Sequence, residues 1–431
     1  MESPDVSVIG AGPVGCLTAL AFARQGARVL LLESRPDTTR RLSGEWIHPS
    51  GLEVLHSMGV RPDADGANYP MGQGFVVFPD DRSDPIRLSY RQDQTGFSCN
   101  HSTIVAAVRA AVTDASGVTY SPHSRLTQLD GQRMTFVDRT GASRTIVSGT
   151  IVGADGRSSV VRKCLGFPDI SSAKTCMAGV LLEDTELPFE GFGHVVLGGP
   201  GPALIYRIGP RQIRACLDVP LSQAKRRDKL NYLQESFGPV LPNELRPAFR
   251  SALLKRPVVW AANQLRPRTH YGRDHVWLVG DAVGCTHPMT AIGMTLGFRD
   301  GECLANQREP EAYGRQRASQ SRVPELLANS LYAAFSRHDD AAVMIRKAIY
   351  QLWRNEATER DCTMELLCAS DTSSWQFHRI YLKTAAMTLK PVMADILTSR
   401  QWQHPVSAAG RLHRQIFWCD GHILPRKHWS R

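Results

Sequence analysis

The sequence predicts an α/β fold in which a parallel sheet is joined by an inserted, mostly antiparallel sheet and a helical C-terminal region. A strand, a glycine-rich turn, a helix and a second strand follow one another over residues 5–33. Residues 71–96 and 173–220 break into short apolar segments separated by Gly/Pro turns, and helical spacing dominates from about residue 300 onward. Because 431 residues exceed one ordinary core, we expect two or three domains.

Composition narrows the classes of function. With 42% hydrophobic and 21% charged residues the chain is globular, and its net charge of +10 suits nucleic acid, an anionic cofactor or a membrane surface. The ten cysteines form no CxxC pair and no zinc-ligand spacing with histidine, so we predict no metal site. Neither a secretory signal nor a transmembrane run is apparent. We therefore expect a cytoplasmic protein with free thiols.

The first motif is a glycine-rich turn between two predicted strands. Gly10-x-Gly12-Pro13-x-Gly15 follows the strand that begins at Val6, and Glu33 closes the next strand. Such glycines let the backbone approach a pyrophosphate at the helix N-terminus, and an acid at that distance binds the ribose of an adenosine. The sequence therefore predicts a Rossmann-type dinucleotide site, and the acid argues against a 2′-phosphate there.

Two further motifs follow predicted strands. Gly153-Ala154-Asp155-Gly156 comes directly after Thr150-Ile151-Val152, and Gly280-Asp281-Ala282 follows Leu278-Val279. The last of these leads into His287-Pro288 and then Gly293-Met294. Three such elements in this order indicate a flavoprotein rather than a nicotinamide enzyme, which would need only the first.

On these motifs the chain resembles the group A, p-hydroxybenzoate-hydroxylase-like FAD monooxygenases, and within them the squalene monooxygenase (squalene epoxidase) family. Residues 41–51 are similar to that family's R-x-x-G-E-x-x-x-P-x-G segment, and residues 280–295 to its G-D-A…H-P-L-T-G-G-G-M-T signature. Residues 202–220, 345–348 and the region of His378 resemble its substrate strands and C-terminal helices.

The resemblance implies FAD as the cofactor, with roles for individual residues. It assigns cofactor binding to Gly10, Gly12, Pro13, Gly15, Glu33, Ser34, Arg41, His101, Asp155, Gly280, Asp281, Pro288, Gly293 and Met294. A helix that begins after Pro288 would direct its positive end at the flavin. We predict His48 and Pro288 as catalytic residues and Phe75, Tyr206 and His48 as substrate contacts. His48, with an ordinary pKa, could relay protons, or it could simply bond to backbone.

Four departures from the family pattern concern the same region. Ala291-Ile292-Gly293 replaces three glycines, which we expect to narrow the space beside the flavin ring. His48 stands in place of a glutamine, Phe75 in place of the tyrosine that partners it, and His101 in place of an arginine. These departures argue against squalene itself as the substrate.

The resemblance further implies the reaction. Through a flavin C4a-hydroperoxide, one atom of O2 would enter a hydrophobic substrate, first of all as an epoxide on an isoprenoid or polyene. Electrons would come from NAD(P)H, directly or through a separate flavin or ferredoxin reductase. Two alternatives are hydroxylation of an electron-rich aromatic, such as a phenolic polyketide or quinolone, and a non-catalytic flavin- or lipid-binding protein.

The domain prediction follows the motifs. We assign residues 1–70, 97–172 and 265–330 to an FAD-binding domain, 71–96 and 173–264 to a substrate-binding domain, and 331–431 to a helical region. Residues 397–431 carry six basic residues, one acid and three tryptophans, which suits a peripheral membrane contact on the cytoplasmic face. A solvated tail is the alternative, and no nucleic-acid-binding module is recognisable.

Overall fold

The structure is a computed structural model that describes residues 3–36, 42–62, 69, 71–168, 172–307 and 309–398. Residues 399–431, which hold all the basic residues and tryptophans of the predicted membrane-contacting tail, lie outside the described residues. Within the described part of the chain, no helix is long and apolar enough to cross a membrane.

Strands supply two main sheets. The strands are β1 Val6–Ile9, β2 Val29–Glu33, β3 Trp46–Ile47, β4 Gly74–Phe78, β5 Ile86–Ser89, β6 Phe97–Ser98, β7 Val118–Pro122, β8 Arg125–Asp130, β9 Arg133–Val137, β10 Ser143–Val147, β11 Thr150–Gly153, β12 Ser172–Glu183, β13 Phe192–Val196, β14 Ala203–Gly209, β15 Gln212–Pro220, β16 Val259–Leu265, β17 Gly272–Arg273 and β18 Val276–Leu278.

Helices cover the first sheet and dominate the end of the chain. The helices are α1 Pro13–Arg24, α2 Pro49–Ser57, α3 His101–Asp114, α4 Val160–Cys164, α5 Leu221–Ala224, α6 Lys229–Phe237, α7 Arg246–Lys255, α8 Gly293–Asn306, α9 Pro310–Ser336, α10 Asp340–Asn355, α11 Ala357–Leu367 and α12 Ser374–Thr398. Short 3-10 turns span Asn243–Leu245, Gly280–Ala282 and Pro288–Thr290.

The first sheet has six strands in the order β17-β18-β11-β1-β2-β7. All neighbours are parallel except the edge pair β17–β18. Helix α1 packs against this sheet and crosses α8 closely, because a side chain at Gly297 would lie 2.6 Å from Val14. This is the predicted Rossmann-type arrangement, and its parallel strands end at one common edge.

The second sheet has seven strands in the order β16-β12-β15-β14-β13-β4-β5. Its neighbours are antiparallel except for β13 and β4, as the sequence predicted for a mostly antiparallel inserted sheet. A separate antiparallel meander of β8, β9 and β10 was not predicted. The exact domain boundaries stay a prediction.

Helices α9 to α11, with the first turns of α12, pack on the second sheet through one apolar cluster. The cluster joins Phe75 and Tyr206 of the sheet with Ile345 and Trp353 of α10, and it reaches Met289 in the last 3-10 turn. The predicted helical C-terminal region therefore forms one side of the core beside that turn.

Candidate active site

The three sequence motifs meet at the carboxyl edge of the first sheet. Gly10 follows β1 and Asp155 follows β11, while Gly280 follows β18 after one residue. Backbone hydrogen bonds continue the sheet into the turns, from Ala154 N to Ile9 O at 2.8 Å and from Val279 N to Gly153 O at 3.0 Å. Parallel strands thus bring together residues separated by up to 270 positions in the sequence.

The glycine-rich turn has the geometry that its sequence predicts. Gly10 has a φ of +105°, and a Cβ there would lie 2.7 Å from Ala154 O, so only glycine fits. Gly12 is the N-cap of α1 and Pro13 its first residue. A Cβ at Gly12 would meet no atom within 4 Å, so the helix N-terminus faces open space of the kind a pyrophosphate needs.

Glu33 lies at the end of β2 next to this turn. Its Oε2 accepts a hydrogen bond from Ala11 N at 2.8 Å, and its Oε1 accepts one from Arg35 N at 2.7 Å. Ser34 is exposed beside it. Arg109, which the sequence analysis missed, donates to Ala11 O and Pro36 O and lies 3.9 Å from Glu33. It is the only basic residue of α3 after His101.

Two partly buried carboxyl groups flank the opposite side of the edge. Asp155 Oδ2 accepts hydrogen bonds from the N–H groups of Val160 and Val161, whereas its Oδ1 is buried without a partner. Burial raises the pKa of Asp155, and burial also raises that of Asp281. Asp155 therefore stabilises the start of α4 as well as lining the edge.

The residues at this edge fit FAD. A Cβ on Gly293 would have only Asp281 Oδ1 near it, at 4.0 Å, so the start of α8 is as open as that of α1. Two helix N-termini and Glu33 offer partners for phosphates and ribose. Met294 is partly buried and packs at about 3 Å from where a Cβ on Gly44 would lie. His101 begins α3 and bonds through Nδ1 to Gly44 O at 2.9 Å.

Arg41, predicted to contact the flavin's pyrophosphate side, lies outside the described residues. The other predicted cofactor residues lie along the carboxyl edge or on the adjoining start of α3. Their individual contacts with FAD stay predictions.

The segment after His287 differs in detail from the expected helix. Pro288–Thr290 form a 3-10 turn, Ala291 then adopts a left-handed conformation with φ +53°, and α8 begins only at Gly293. Pro288 is exposed to the site although its neighbours are buried. Ile292 packs with Leu296, Ala328 and Ala369, and the expected narrowing of the space beside the flavin ring stays a prediction.

His48 is held from both sides by hydrogen bonds, and its predicted role as a proton relay stays a prediction. Its Nε2 lies 2.9 Å from Thr290 O, and its Nδ1 lies 2.7 Å from the hydroxyl of Tyr90, which accepts from Trp46 Nε1 at 2.9 Å. Because it is completely buried, its pKa falls to about 4. His48 is therefore neutral near pH 7 and fixes the Pro288–Thr290 turn.

The predicted substrate residues surround this histidine. The ring centroid of Phe75 lies 5.6 Å from that of His48 and 5.1 Å from that of Trp46, and Trp46 lies 6.0 Å from Tyr206. All four side chains are buried. The structure thus brings Phe75, Tyr206 and His48 together, and their contact with a substrate stays a prediction.

A buried ion pair, which the sequence analysis did not identify, completes the cluster. Glu45, only 3% exposed, accepts two hydrogen bonds of 3.0 Å from Arg214 and one of 3.2 Å from the hydroxyl of Tyr206. Glu45 belongs to the G-E pair of the quoted motif, but nothing in the sequence points to Arg214 as its partner.

Comparison with known proteins identifies the family. The sequence model described as "FAD binding domain" matches residues 3–307, more than half of the chain. The chain belongs to this family. Squalene epoxidase 1 of Arabidopsis thaliana is 26% identical over 80% of this chain and 70% of its own length. Squalene epoxidase erg1 of Aspergillus fumigatus is 27% identical over 81% of this chain and 79% of its own length.

Solved structures show the same fold. The flavin-dependent brominase Bmp2 superimposes with a TM-score of 0.73, at 17% identity over 90% of this chain and 99% of its own. The p-nitrophenol 4-monooxygenase PnpA of Pseudomonas putida DLL-E4 superimposes with a TM-score of 0.66, at 19% identity over 86% of this chain and 98% of its own. The chain is an FAD-dependent monooxygenase similar to squalene epoxidases, and it uses FAD with NAD(P)H as the electron source.

Proposed function

We propose that this FAD-dependent monooxygenase inserts one atom of O2 into an alkene of a hydrophobic isoprenoid or polyene, forming an epoxide. The second oxygen atom leaves as water, and NAD(P)H supplies the two electrons. When bound, FAD supplies the oxygen-activating chemistry. The protein's residues bind the cofactor, exclude water and orient the substrate. The names of the squalene epoxidase relatives support this class of reaction.

The pairing of the buried polar groups beside Pro288 carries the proposal. The hydroxyl of Tyr90 bonds to His48, and that of Tyr206 bonds to Glu45, whose carboxylate is also held by Arg214. A site that recognises a phenol keeps a buried polar partner for its hydroxyl, and an unpaired partner is costly. Since these groups are satisfied by each other, the surface they leave for a substrate is apolar.

An apolar cavity lies among the C-terminal helices. It lies between α9, α10, α11 and α12, and its volume is about 70 Å³. Its lining includes Leu331, Ile345 and Trp353, which belong to the same apolar cluster as Phe75 and Tyr206. We propose that this cavity receives the hydrocarbon chain of the substrate.

Labelled oxygen tests the reaction. The FAD-loaded enzyme is incubated under ¹⁸O2 with NADPH, with or without a reductase. The substrate is either a polyene isoprenoid or a phenol, and the masses of the products are measured by mass spectrometry. One label in the alkene is the expected result. A label in the phenol would instead establish aromatic hydroxylation, and unlabelled products from a flavin-loaded protein would establish a non-catalytic binding role.

A matched pair of variants tests the cavity. Ala385 lines it, whereas Ala386, the next residue of α12, is exposed. Ala385→Trp should raise KM for the polyene several-fold by filling the cavity, and Ala386→Trp should leave KM unchanged. Equal KM values for the two variants would contradict the assignment of the cavity.

The route of the electrons is a second part of the proposal. The sequence holds a single dinucleotide-binding fingerprint, at Gly10–Gly15, and we assign this fingerprint to FAD. We therefore propose that a separate reductase delivers the electrons of NADPH. Anaerobic flavin reduction should be slow with NADPH alone and fast when a reductase is added. Equal rates would show that NADPH reduces the flavin directly.

Helix α12 supports a peripheral membrane contact. Trp375 and Leu382 lie seven residues apart on one face of this helix and are 72% and 62% exposed. We propose that this face and the tail beyond it rest on an anionic membrane surface. Trp375→Ser with Leu382→Ser should reduce flotation with anionic vesicles, whereas Leu254→Ser, at the equally exposed Leu254 of α7, should not. Equal flotation of all variants would contradict the contact.

A further inference from the structure

His287 directly precedes the exposed Pro288 and is buried in a polar network that the proposed function does not use. It is 1% exposed, and its Nε2 lies 3.3 Å from Oδ1 of Asp218, which is also 1% exposed. The ring of Tyr332 stacks on the imidazole with centroids 3.7 Å apart and planes 11° apart. The Tyr332 hydroxyl donates to Asp218 Oδ2 at 3.0 Å.

The network fixes the tautomer of His287. Met289 N donates to Nδ1 at 3.2 Å, so Nδ1 carries no hydrogen and Nε2–H points at Asp218. Burial alone would raise the pKa of Asp218, but hydrogen bonds from His287, Thr175 and Tyr332 hold it below its usual value. Asp218 is therefore a carboxylate that accepts the Nε2 hydrogen.

The four residues that surround His287 in this network come from four separate elements. Thr175 lies on β12, Asp218 on β15, Asn263 on β16 and Tyr332 on α9. The Asn263 amide nitrogen donates to Asp218 at 2.9 Å and to Thr175 at 3.1 Å, and it also lies 3.2 Å from His287 Nε2. The sheet of the predicted substrate domain and the C-terminal helices thus both contribute side chains that contact His287 or Asp218.

From this arrangement we infer that His287, oriented by Asp218 and Tyr332, is a positioning residue for the turn that faces the flavin. His287 holds the turn at Met289 N, and His48 holds it at Thr290 O. The turn leads into α8, whose positive end faces the cofactor site. The inference rests on the FAD-dependent function proposed above and assigns the geometry of that site to a second histidine.

Two variants of His287 test separately the hydrogen bonds that its two ring nitrogens make. Asparagine places its side-chain oxygen near the position of Nδ1 and can still accept from Met289 N, whereas glutamine reaches Asp218 but loses that acceptor. His194 provides a matched control, because it is also fully buried, stacks on Phe78 and bonds to backbone two residues away, outside the site. His194→Gln therefore reports the cost of disturbing a buried histidine.

The measurements are the FAD dissociation constant and the flavin midpoint potential, with the melting temperature of each protein recorded alongside. We expect His287→Gln to weaken FAD binding about fivefold, the effect of one ordinary hydrogen bond, and to make the potential more negative. His287→Asn should restore both values towards those of the wild type, and Tyr332→Phe should give a smaller change in the same direction.

The inference is overturned if His287→Gln and His194→Gln lower the melting temperature alike and leave the dissociation constant and potential at wild-type values. If His287→Gln does not fold, the test rests on Tyr332→Phe. A flavin midpoint potential in Tyr332→Phe equal to that of the wild type then overturns the inference. A wild-type protein that binds no FAD would instead refute the proposed function, so the two failures are distinguishable.

Discussion

Replacing Asp300 by asparagine should strongly destabilise the protein. Asp300 on α8 is fully buried, and its Oδ1 accepts from Arg317 Nε at 2.8 Å. Its Oδ2 accepts from Gly280 N at 2.9 Å and pairs with Arg268, and both arginine side chains are 2% exposed. One carboxylate is therefore paired with two buried guanidinium groups and holds the turn that carries Asp281.

The magnitude follows from the burial. Removing one partner of a buried ion pair costs about 3–5 kcal/mol, because it leaves a charge without compensation. Glu325 accepts from Arg268 N at 3.2 Å, and burial raises its pKa, so it compensates Arg268 only in part. We expect a loss of about 3 kcal/mol or more in the free energy of unfolding for Asp300→Asn. FAD binding should weaken as well, because the amide keeps only one acceptor oxygen for Gly280 N and the two arginines.

Urea unfolding of the FAD-loaded protein measures this loss. Asp228→Asn is the control, because Asp228 pairs with Arg226 on the surface and both side chains are about half exposed. Such an exposed pair contributes little to stability. The reasoning is refuted if the two variants unfold at similar urea concentrations.

Three further predictions concern the aromatic cluster and the flavin-facing turn. Ala291→Gly should stabilise the protein by about 1 kcal/mol, because Ala291 has a left-handed φ of +53° that glycine adopts without strain; an unchanged or lower melting temperature would contradict this. The pKa of His48 is lowered from 6.5 to about 4, so the unfolded chain binds its proton first as the pH falls. Stability should therefore decrease between these pH values by roughly 3 kcal/mol at most, and His48→Gln should flatten that part of a urea-unfolding pH profile. Arg214→Leu should cost about 3–5 kcal/mol by leaving Glu45 unpaired, and Glu45→Gln in the same chain should recover part of it; additive losses in urea unfolding would argue against the pair.

Local patterns predicted the first half of the fold well. The run from Val6 to Glu33 combines apolar strands, a glycine turn and a helix stop, so each local preference agrees with the final structure. The β8–β10 meander was missed because its strands are short and many of their side chains are exposed, which dilutes the alternation that marks a strand.

The candidate site was predictable only where a motif carries it. Gly10, Glu33, Asp155 and Asp281 lie together because parallel strands end at one edge, which is a rule of the fold. The pair of Glu45 and Arg214 is 169 positions apart in the sequence, and no rule of spacing joins such residues. These contacts arise from the packing of one sheet against the other, so they become visible only in the structure.

The departures from the family pattern at residues 48 and 75 form one coordinated change. Phe75 pairs with Leu88 across β4 and β5, and Tyr90 lies two residues further on the same buried face. The hydroxyl that the sequence analysis found missing at position 75 is therefore supplied from the neighbouring strand, where it bonds to His48. His48 in turn reaches Thr290 O, so the bond to the flavin-facing turn is present while the position of Phe75 presents only a hydrocarbon ring. This rearrangement keeps the turn fixed although residue 75 carries no hydroxyl.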